Sequence, residues 1–257
     1  MDLIKRIGIC LITLTLIVIG ETTNTEPLIF SNYPENIEYP QKVFSEEINI
    51  GNIRFHYYHK NKTNQPFSKS LTITNQNNST ANIEIINISK THYDGSKASF
   101  YNSYLYWKSL LNNQKNSIQI KPNSSILISE EKVLSSQINH GILKIKNPQK
   151  NNLLVELSYK DSIYEKIPFN QIKPIIFDTM IKKEMIILPA GPKIIISIGK
   201  NDKTKYTYNH GNYGQIHEII LKFINPYDYP LESKLYYHRV SGMSRNNIII
   251  NDKIYQT

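Results

Sequence analysis

Two histidines that could bind a metal ion or transfer a proton lie close together in the sequence. His56 and His59 occur in an apolar and aromatic run at residues 53–59. Because residues three apart in a β-strand point to opposite faces, these two side chains are not expected to share one metal ion. His56 could pair with His92 or His210, but the seven histidines are scattered along the chain. We therefore expect strand-face histidines, with no metal site and no cofactor.

Sequence patterns of common hydrolases and nucleotide-binding enzymes do not occur in the chain. It has no Gly-x-Ser-x-Gly sequence and no phosphate-binding glycine-rich loop. The adjacent carboxylates Glu46 and Glu47, like Glu130 and Glu131, face apart in extended chain and form no acid and nucleophile pair. The sequence therefore favours a protein that is not an enzyme. A hydrolase is a third hypothesis, which requires a concave pocket with an acid and a base close together.

The most distinctive short sequence is HGNYG at residues 210–214, just before an apolar run at residues 215–224. Two glycines and an asparagine in five residues suit positive φ angles, so a tight turn that aims Tyr213 inward or at a neighbouring loop is expected. The alternative is a ligand-binding loop that uses His210, Asn212 and Tyr213.

Aromatic residues at helical spacing lie between residues 96 and 112. Phe100, Tyr104, Trp107 and Leu111 follow one another at intervals of four, three and four residues, which places them on one face of a helix. We expect one amphipathic helix, laid across a β-sandwich with this face as core material. The alternative is an aromatic platform that stacks on a ligand such as a glycan. Its candidate residues are Tyr101, Tyr104, Tyr106 and Trp107.

Short apolar or alternating runs, separated by turn residues, fill most of the remaining chain. With 40% hydrophobic and 20% charged residues, the 257-residue chain has enough apolar material for packed cores. The runs predict a mainly β protein with two antiparallel Ig-like β-sandwich modules, at residues 40–165 and 172–257, the first of which carries the helix. The runs lie at residues 53–58, 71–74, 83–88, 118–120, 126–128, 142–145 and 153–159, and then at 184–188, 194–198, 215–224, 231–240 and 247–250.

The predicted modules share a pattern in which a strand ends in asparagine before a turn, as at Asn75 and Asn225. The run at 247–250, followed by the turn residues 251–253, predicts a hairpin. Because only about five strands can be counted in the second module, we expect it to be truncated and less stable than the first. An unpaired sheet edge would then recruit an envelope partner or a second copy of the chain.

Residues 1–20 have the features of a secretory signal peptide. A basic pair precedes an apolar run, and small residues suit cleavage after Gly20. Membrane association through this run is expected only if the signal is uncleaved, because a spanning helix needs about 20 apolar residues. Cys10 is the only cysteine, so the exported chain would have no disulfide. The proline-punctuated residues 21–39 predict a linker.

The chain is basic. Thirty Lys and Arg against 21 Asp and Glu give a net charge of +9, which suits an anionic partner. Acidic residues lie between the basic ones, and an exported protein seldom meets nucleic acid, so nucleic acid is not the expected partner. Anionic wall polymers or lipid headgroups are the better match.

Several turn and strand sequences between residues 30 and 257 carry a resemblance. They are FSNYPE at 30–35, RFHYYH at 54–59, LPAG at 188–191, IG at 198–199, GNYG at 211–214 and NPYDYP at 225–230. The chain resembles a group of exported bacterial proteins of unknown function, some of which are labelled copper amine oxidase-like. The resemblance implies two Ig-like modules outside the cytoplasm and supplies no catalytic residue.

The oxidase label disagrees with the residues. A copper amine oxidase has its quinone-forming tyrosine in an Asn-Tyr-Asp/Glu context and a His-x-His pair for copper. Here Gly214 follows Asn212 and Tyr213, and no His-x-His sequence occurs. Oxidase activity is therefore not expected.

The leading hypothesis is a non-enzymatic, secreted or extracytoplasmic protein that acts as a structural or interaction module at the bacterial cell surface or envelope. The alternative is a module that binds a glycan or wall polymer through tyrosine and tryptophan faces. The expected partner is an envelope or wall component, or a second copy of the chain that pairs through an open sheet edge.

Overall fold

The computed structural model describes residues 18–22, 27–32, 35–49, 51–160, 175–177, 181–189, 202–203, 208–209, 216–225, 227–230, 232 and 247–256. In this part of the chain the protein is mainly β, with several sheets that are mostly antiparallel and a single α-helix. The mainly β prediction is therefore confirmed.

The strands follow one another as β1 (Val18–Thr22), β2 (Leu28–Ser31), β3 (Asn36–Ile37), β4 (Gln41–Ile48), β5 (Asn52–Asn61), β6 (Phe67–Asn75) and β7 (Ala81–His92). Helix α1 (Gly95–Leu111) comes next, and then β8 (Asn116–Ile120), β9 (Ser125–Val133), β10 (Ile138–Lys146) and β11 (Leu153–Lys160). The later strands are β12 (Ile175–Phe177), β13 (Ile181–Pro189), β14 (Asp202–Lys203), β15 (Tyr208–Asn209), β16 (Ile216–Ile224), β17 (Asn247–Ile250) and β18 (Lys253–Gln256).

The eight strands β4 to β11 form a sandwich of two sheets. The β4 sheet has the order β4-β11-β6-β9, and the β5 sheet contains the order β5-β10-β7-β8, with antiparallel pairing throughout. The first of these strands thus pairs with the eighth, the second with the seventh, the third with the sixth and the fourth with the fifth. This nested pairing is the strand order of a jelly roll. It differs from the ABED and CFG sheets of an Ig domain, so the Ig-like part of the prediction is not confirmed.

The β5 sheet continues beyond β5 with two strands from the region before the sandwich and one from the region after it. β2 and β3 both run parallel to β5, and β12 pairs with β2. Leu28 and Ile37, in β2 and β3, are fully buried. These two strands lie within residues 21–39, where a linker was expected. The apolar residues of this stretch add to the sheet instead, because leaving them in water would cost hydrophobic free energy.

The apolar core fills the space between the two sheets. Phe44 of the β4 sheet meets Phe55 of the β5 sheet edge to face, with ring centroids 5.0 Å apart. Successive side chains of a strand point to opposite faces, so every second residue contributes to the core. Other fully or almost fully buried members are Val43, Ile48, Ile53, Phe67, Leu71, Ile73, Ile83, Ile85, Ile120, Val133, Leu143, Ile145, Leu153, Val155 and Leu157.

Asparagine residues close several strands in the same way. The Asn75 side chain accepts a hydrogen bond from the backbone N–H of Asn77 at 3.0 Å and donates one to the carbonyl of Ser79 at 2.7 Å. Asn225, in the second half, makes the same two bonds with Tyr227 N–H and Tyr229 carbonyl, at 3.0 and 2.7 Å. Such side chains replace the missing backbone partners at a turn. The strand-end pattern predicted in both halves is therefore confirmed at these two positions.

Helix α1 begins and ends with recognisable caps. The carboxylate of Asp94 accepts a hydrogen bond from the N–H of Lys97 at 3.4 Å, as an N-cap does. Asn113 has a φ of 51°. The next residue, Gln114, donates its N–H to the carbonyl of Ser109 at 2.8 Å, which makes this end a Schellman motif with asparagine in the left-handed position.

The predicted helix exists, but the predicted face is wrong. The residues buried against β7 and β10, on the outer face of the β5 sheet, are Ala98, Asn102 and Tyr106, which are spaced by one helical turn. At about 100° per residue, Phe100 and Trp107 fall on roughly the opposite side of the helix. The small Ala98 and the hydrogen-bonding Asn102 let the helix approach the sheet closely. The aromatic stripe, which consists of Phe100, Tyr104 and Trp107, therefore points away from the sandwich.

The second half has a different pairing from the one predicted. β13 pairs in parallel with β16, and β1 pairs with β13 in the antiparallel sense, so the antiparallel second module at residues 172–257 is not confirmed. β13, β16 and β17 cover the strands expected at 184–188, 215–224 and 247–250. The strands expected at 194–198 and 231–240 lie outside the described residues, apart from Glu232, which is not in a strand.

The predicted C-terminal hairpin is confirmed. β17 pairs with β18, and Ile250 lies opposite Lys253, so the connection has two residues. Asn251 and Asp252 have φ angles of 47° and 61°. Positive φ at both central residues defines a type I′ turn, the form that matches the twist of a two-residue hairpin. The hairpin contacts helix α1.

The segment around the expected signal cleavage site forms strand β1. Val18, Ile19 and Gly20 lie before the predicted cut, and Glu21 and Thr22 follow it, yet all five pair with β13. Cleavage after Gly20 would therefore shorten this strand. Among the described residues, no helix is long and apolar enough to cross a membrane.

Candidate functional site

Polar side chains are concentrated on both faces of the strand pair β5 and β10. On the inner face, residues from both sheets meet in the interior cluster, which consists of Tyr57, Lys69, Ser89, Ser129, Glu131, Asn139 and Tyr159. The outer face carries the covered cluster, which consists of Arg54, His56 and His140 of the sheet together with Asn102 of helix α1. Alternation along β5 sends Tyr57 to the first cluster and its neighbour His56 to the second.

Hydrogen bonds join the interior cluster across the sandwich. The Tyr159 hydroxyl, from the β4 sheet, donates to Asn139 Oδ1 of the β5 sheet at 3.2 Å. The Asn139 amide donates to Ser89 Oγ at 3.3 Å and to Glu131 Oε2 at 3.1 Å. The Tyr57 hydroxyl also donates to Ser89 Oγ, at 3.0 Å. The network thus links the two sheets through side chains that would otherwise be buried without partners.

One buried charge pair lies in the interior cluster. The Lys69 ammonium, whose side chain is 0% exposed, donates to Ser129 Oγ at 2.8 Å and to Glu131 Oε1 at 3.2 Å. Its nitrogen also lies 5.2 Å from the centre of the Tyr57 ring, within the range of a cation–π contact. The Lys69 charge is therefore compensated by a carboxylate, a hydroxyl and an aromatic face.

The interior cluster favours the protonated form of Tyr159. Burial raises the pKa of the Tyr159 hydroxyl well above its usual value, and the neighbouring Tyr57 and Glu131 act in the same direction. A phenol in this state donates a hydrogen bond and does not act as a base near neutral pH. The cluster is thus built to hold the sandwich together.

Gly141 makes room for the Tyr57 ring. These two residues lie opposite each other in the β5–β10 register. A Cβ atom on Gly141 would overlap the Tyr57 ring carbons and hydroxyl. Glycine at this position therefore allows the tyrosine to lie flat against β10 and reach Ser89.

Asn102 connects helix α1 to the covered cluster. The Asn102 amide donates to the backbone carbonyl of His140 at 2.6 Å and lies 2.8 Å from its Nδ1 atom. His140 also meets His56 and Tyr58 edge to face, at centroid distances of 6.2 Å. Burial lowers the pKa of His140 to about 4, so its imidazole is neutral near pH 7.

His56 and Arg54 complete the covered cluster. Burial lowers the pKa of His56 well below its usual value, and the charges of Arg54 and His140 add to the effect. Arg54 is 2% exposed, yet its Nε and Nη2 atoms have no hydrogen-bond partner, and the same is true of His56 Nε2 and Asn102 Oδ1. The covered cluster therefore contains a buried cation and several unsatisfied polar atoms.

The two histidines of β5 point to opposite faces, as predicted from their spacing. His59 is buried on the inner side, where its Nε2 atom lies 3.1 Å from Ser31 Oγ and its ring meets Tyr159. His56 lies on the outer side with His140, a partner that the sequence did not indicate. In the described part of the chain, no three His, Cys, Asp or Glu side chains are placed to hold a metal ion.

A groove of about 220 Å³ runs between helix α1 and the C-terminal hairpin. We call it the helix groove, and its lining residues are Tyr104, Lys108, Leu111, Asn112, Asp252 and Ile254. Tyr104 and Trp107 are both predicted binding residues. Trp107 lies about one turn after Tyr104 on the aromatic stripe. Trp107 is half-buried and meets the Tyr106 ring at 5.7 Å, so it belongs to neither the core nor a fully exposed platform.

A second groove borders the last turn of helix α1. It is lined by Ser109 and Asn113 at the helix end and by a basic group from strand β10 and from the connection between the helix and β8. This lysine group consists of Lys115, Lys144 and Lys146, around Glu84. Glu84 receives hydrogen bonds from Lys115 at 2.8 and 2.9 Å, which lower its pKa.

The predicted site residues are only partly placed by the structure. Tyr104 and Trp107 lie on the outward stripe of the helix, whereas His210, Asn212 and Tyr213 lie outside the described residues. The structure adds Arg54, a residue that sequence reasoning missed. Its available signal was its position two residues before His56, on the same face of the predicted strand.

Comparison of the sequence with protein-family models and with curated proteins found no match.

Proposed function

We propose that the protein is a non-enzymatic interaction module that acts outside the cytoplasm at the bacterial cell surface, where it binds an anionic, sugar-containing polymer of the envelope. The contact surface in this proposal is the C-terminal half of helix α1, with the helix groove on one side and the lysine group on the other. The observation that carries the proposal is the aromatic stripe of the helix, which faces away from the sandwich.

The aromatic stripe supplies stacking faces. Tyr104 lines the helix groove, and Trp107 is half-buried beside it. Tyrosine and tryptophan rings offer an apolar face to the C–H groups of a sugar while their polar edges stay hydrated. Asn112 and Asp252 of the same groove offer hydrogen-bonding groups for sugar hydroxyls.

Basic residues around the same half of the helix supply the charge. Lys108 lines the helix groove, and the lysine group lies beyond the last turn. One carboxylate, Glu84, stands among the three lysines of that group, so the local charge is positive. A cationic surface next to stacking rings suits a polymer that carries both sugar rings and anionic groups.

Fluorescence of Trp107 tests this proposal directly, because the chain has one tryptophan. Titration of the full chain with purified wall polymer is expected to shift or quench the emission. The Tyr104→Ala variant should weaken the apparent affinity roughly 3- to 10-fold, as expected for about 1 kcal/mol of lost stacking. A nucleic acid of equal charge should bind more weakly than the polymer at the same salt concentration.

The matched control is Tyr93→Ala, which removes an exposed tyrosine (61% exposed) outside the groove. It should titrate like the unmodified chain. Equal affinities for Tyr104→Ala and Tyr93→Ala would show that the aromatic stripe is not the contact surface.

A second candidate function is self-association through a sheet edge. Among the described strands, β16 lies at the end of its sheet, and Ile220 and Ile224 are each 47% exposed. An apolar edge strand pairs readily with another chain. Sedimentation of the full chain should show a concentration-dependent dimer that Ile220→Lys converts to monomer, and a wild-type chain that stays monomeric would contradict this candidate.

A further inference from the structure

The covered cluster holds a cation that cannot lose its charge. Arg54 is 2% exposed, and a guanidinium stays protonated at any pH at which proteins fold. Burying such a charge without a counter-charge is costly. His56 and His140 beside it are neutral, and Lys144, which lies opposite Arg54 in the register, is itself basic.

The carboxylate on the same face of the sheet is already engaged. Glu84 lies opposite Lys146 in the β7–β10 register and forms ion pairs with Lys115 at 2.8 Å and with Lys146 at 3.7 Å. Among the described residues, none accepts a hydrogen bond from Arg54 Nε or Nη2. In the part of the chain that the structure describes, the Arg54 charge is therefore uncompensated.

The unpartnered atoms have the geometry of an oxyanion site. Nε–H and one Nη2–H of a guanidinium point in parallel from the same edge, which is the edge that binds two oxygens of a carboxylate or phosphate. His56 lies two residues further along the same face, about 7 Å away along the strand, and its Nε2 atom is also unpartnered.

We infer that Arg54 and His56, on the outer face of the β5 sheet, form a binding site for a small oxyanion of the carboxylate or phosphate type. The Nε and Nη2 atoms of Arg54 hold two oxygens side by side, and the His56 imidazole donates from Nε2 in the corresponding tautomer. This site lies on the outer face of the sheet, and it does not depend on the polymer-binding proposal.

Thermal unfolding of the full chain in different anions tests the site. Samples are incubated overnight in acetate, inorganic phosphate or chloride at equal ionic strength. Acetate or phosphate, at about one hundred times its dissociation constant, should raise the unfolding midpoint by roughly 5–10 °C above the chloride sample. The two arms show whether a carboxylate or a phosphate is preferred, and equal midpoints in all three salts would overturn the inference.

Variants test whether the anion-dependent shift of the unfolding midpoint requires Arg54. Arg54→Met keeps the length of the side chain without its charge, and it should abolish the anion-dependent shift while leaving the chloride midpoint equal or higher. The control Lys90→Met removes an exposed cation from the neighbouring strand β7 and should keep the full shift. A shift of the same size in Arg54→Met would overturn the assignment.

A direct measurement covers the case in which Arg54→Met does not fold. Calorimetric titration of the wild-type chain with phosphate and with acetate should show one saturable site for at least one of them. His56→Phe, which keeps an aromatic ring in place, should weaken that site several-fold. No saturable binding of either anion by the folded wild-type chain would overturn the inference.

Discussion

The interior cluster and the covered cluster occupy opposite faces of the same two strands, β5 and β10, and they treat a buried cation differently. Lys69 in the interior cluster has a carboxylate at 3.2 Å, a hydroxyl at 2.8 Å and an aromatic ring nearby. Arg54 in the covered cluster is buried, and its Nε and Nη2 atoms have no hydrogen-bond partner among the described residues. A fully connected network stabilises a sandwich, whereas an incomplete one is a place where a ligand can complete the bonding.

The largest expected effect comes from closing the space that the interior cluster needs. Gly141→Ala forces the Tyr57 ring away from β10 and breaks its hydrogen bond to Ser89, so the free energy of unfolding should fall by about 4 kcal/mol. Urea unfolding measures the loss. Gly51→Ala is the control, because its Cβ would meet only the Asn147 carbonyl oxygen at 4.0 Å, and a similar loss in both variants would contradict the explanation.

Acid should lower the stability of the fold because it protonates the buried histidines of the covered cluster. The pKa of His140 is about 4 in the folded chain against 6.5 for an ordinary histidine, so the unfolded chain binds more protons between these values. Stability is therefore full above pH 6.5 and decreases as the pH falls towards 4, by about 3 kcal/mol from His140 alone. His56, whose pKa is also lowered, adds to the decrease.

The His140→Gln variant isolates this effect from the titration of carboxylates. Urea unfolding at several pH values within the window should show a shallower dependence for the variant than for the wild type. Identical slopes would mean that His140 is not the group that titrates.

Removing the counter-charge of Lys69 should make the interior cluster resemble the covered one. Glu131→Gln leaves the buried ammonium with neutral partners and should cost about 2 kcal/mol, a value reduced because the Glu131 side chain is 25% exposed. Glu130→Gln, at the adjacent exposed position, should cost less than about 0.5 kcal/mol. The double variant Lys69→Met/Glu131→Gln should recover part of the stability, and chemical denaturation of all three checks the pattern.

The smallest expected effect comes from the helix contact with the covered cluster. Asn102→Ala removes two hydrogen bonds to His140 but also removes the unpartnered Asn102 Oδ1, so the net loss should be about 1 kcal/mol. Tyr101→Ala, an exposed change on the same helix, is the control for the urea midpoint. A loss of unfolding free energy well above about 1 kcal/mol would show that Asn102 contributes more than its two hydrogen bonds to His140.

Local patterns in the sequence predicted what depends on local structure. The mainly β content, the helix near residues 96–112, the strand-closing asparagines and the C-terminal hairpin at Asn251 and Asp252 were all readable from spacing and turn residues. Each depends on backbone geometry within a few residues. The positions at 210–214 stay a prediction.

Features that depend on distant residues were not readable. The nested pairing of β4 with β11 joins strands far apart in the sequence, and no local pattern specifies it. The helix face was misassigned because Asn102 is buried by its bonds to His140, and the aromatic stripe is the more apolar side. Buried Lys69 and Arg54 also run against the usual exposure of charged residues, so composition alone does not reveal them.

The nested strand pairing also has a kinetic consequence. Helix α1 connects β7 to β8, the innermost pair of the long hairpin, so these strands close the shortest loop. Each pair outside it, from β6 with β9 to β4 with β11, closes a longer loop at a higher entropic cost. Folding of this sandwich should thus proceed from the helix outward and be slow, as is usual for chains dominated by distant contacts. The strand that joins last, β4 or β11, would be the first to separate when the sandwich is strained.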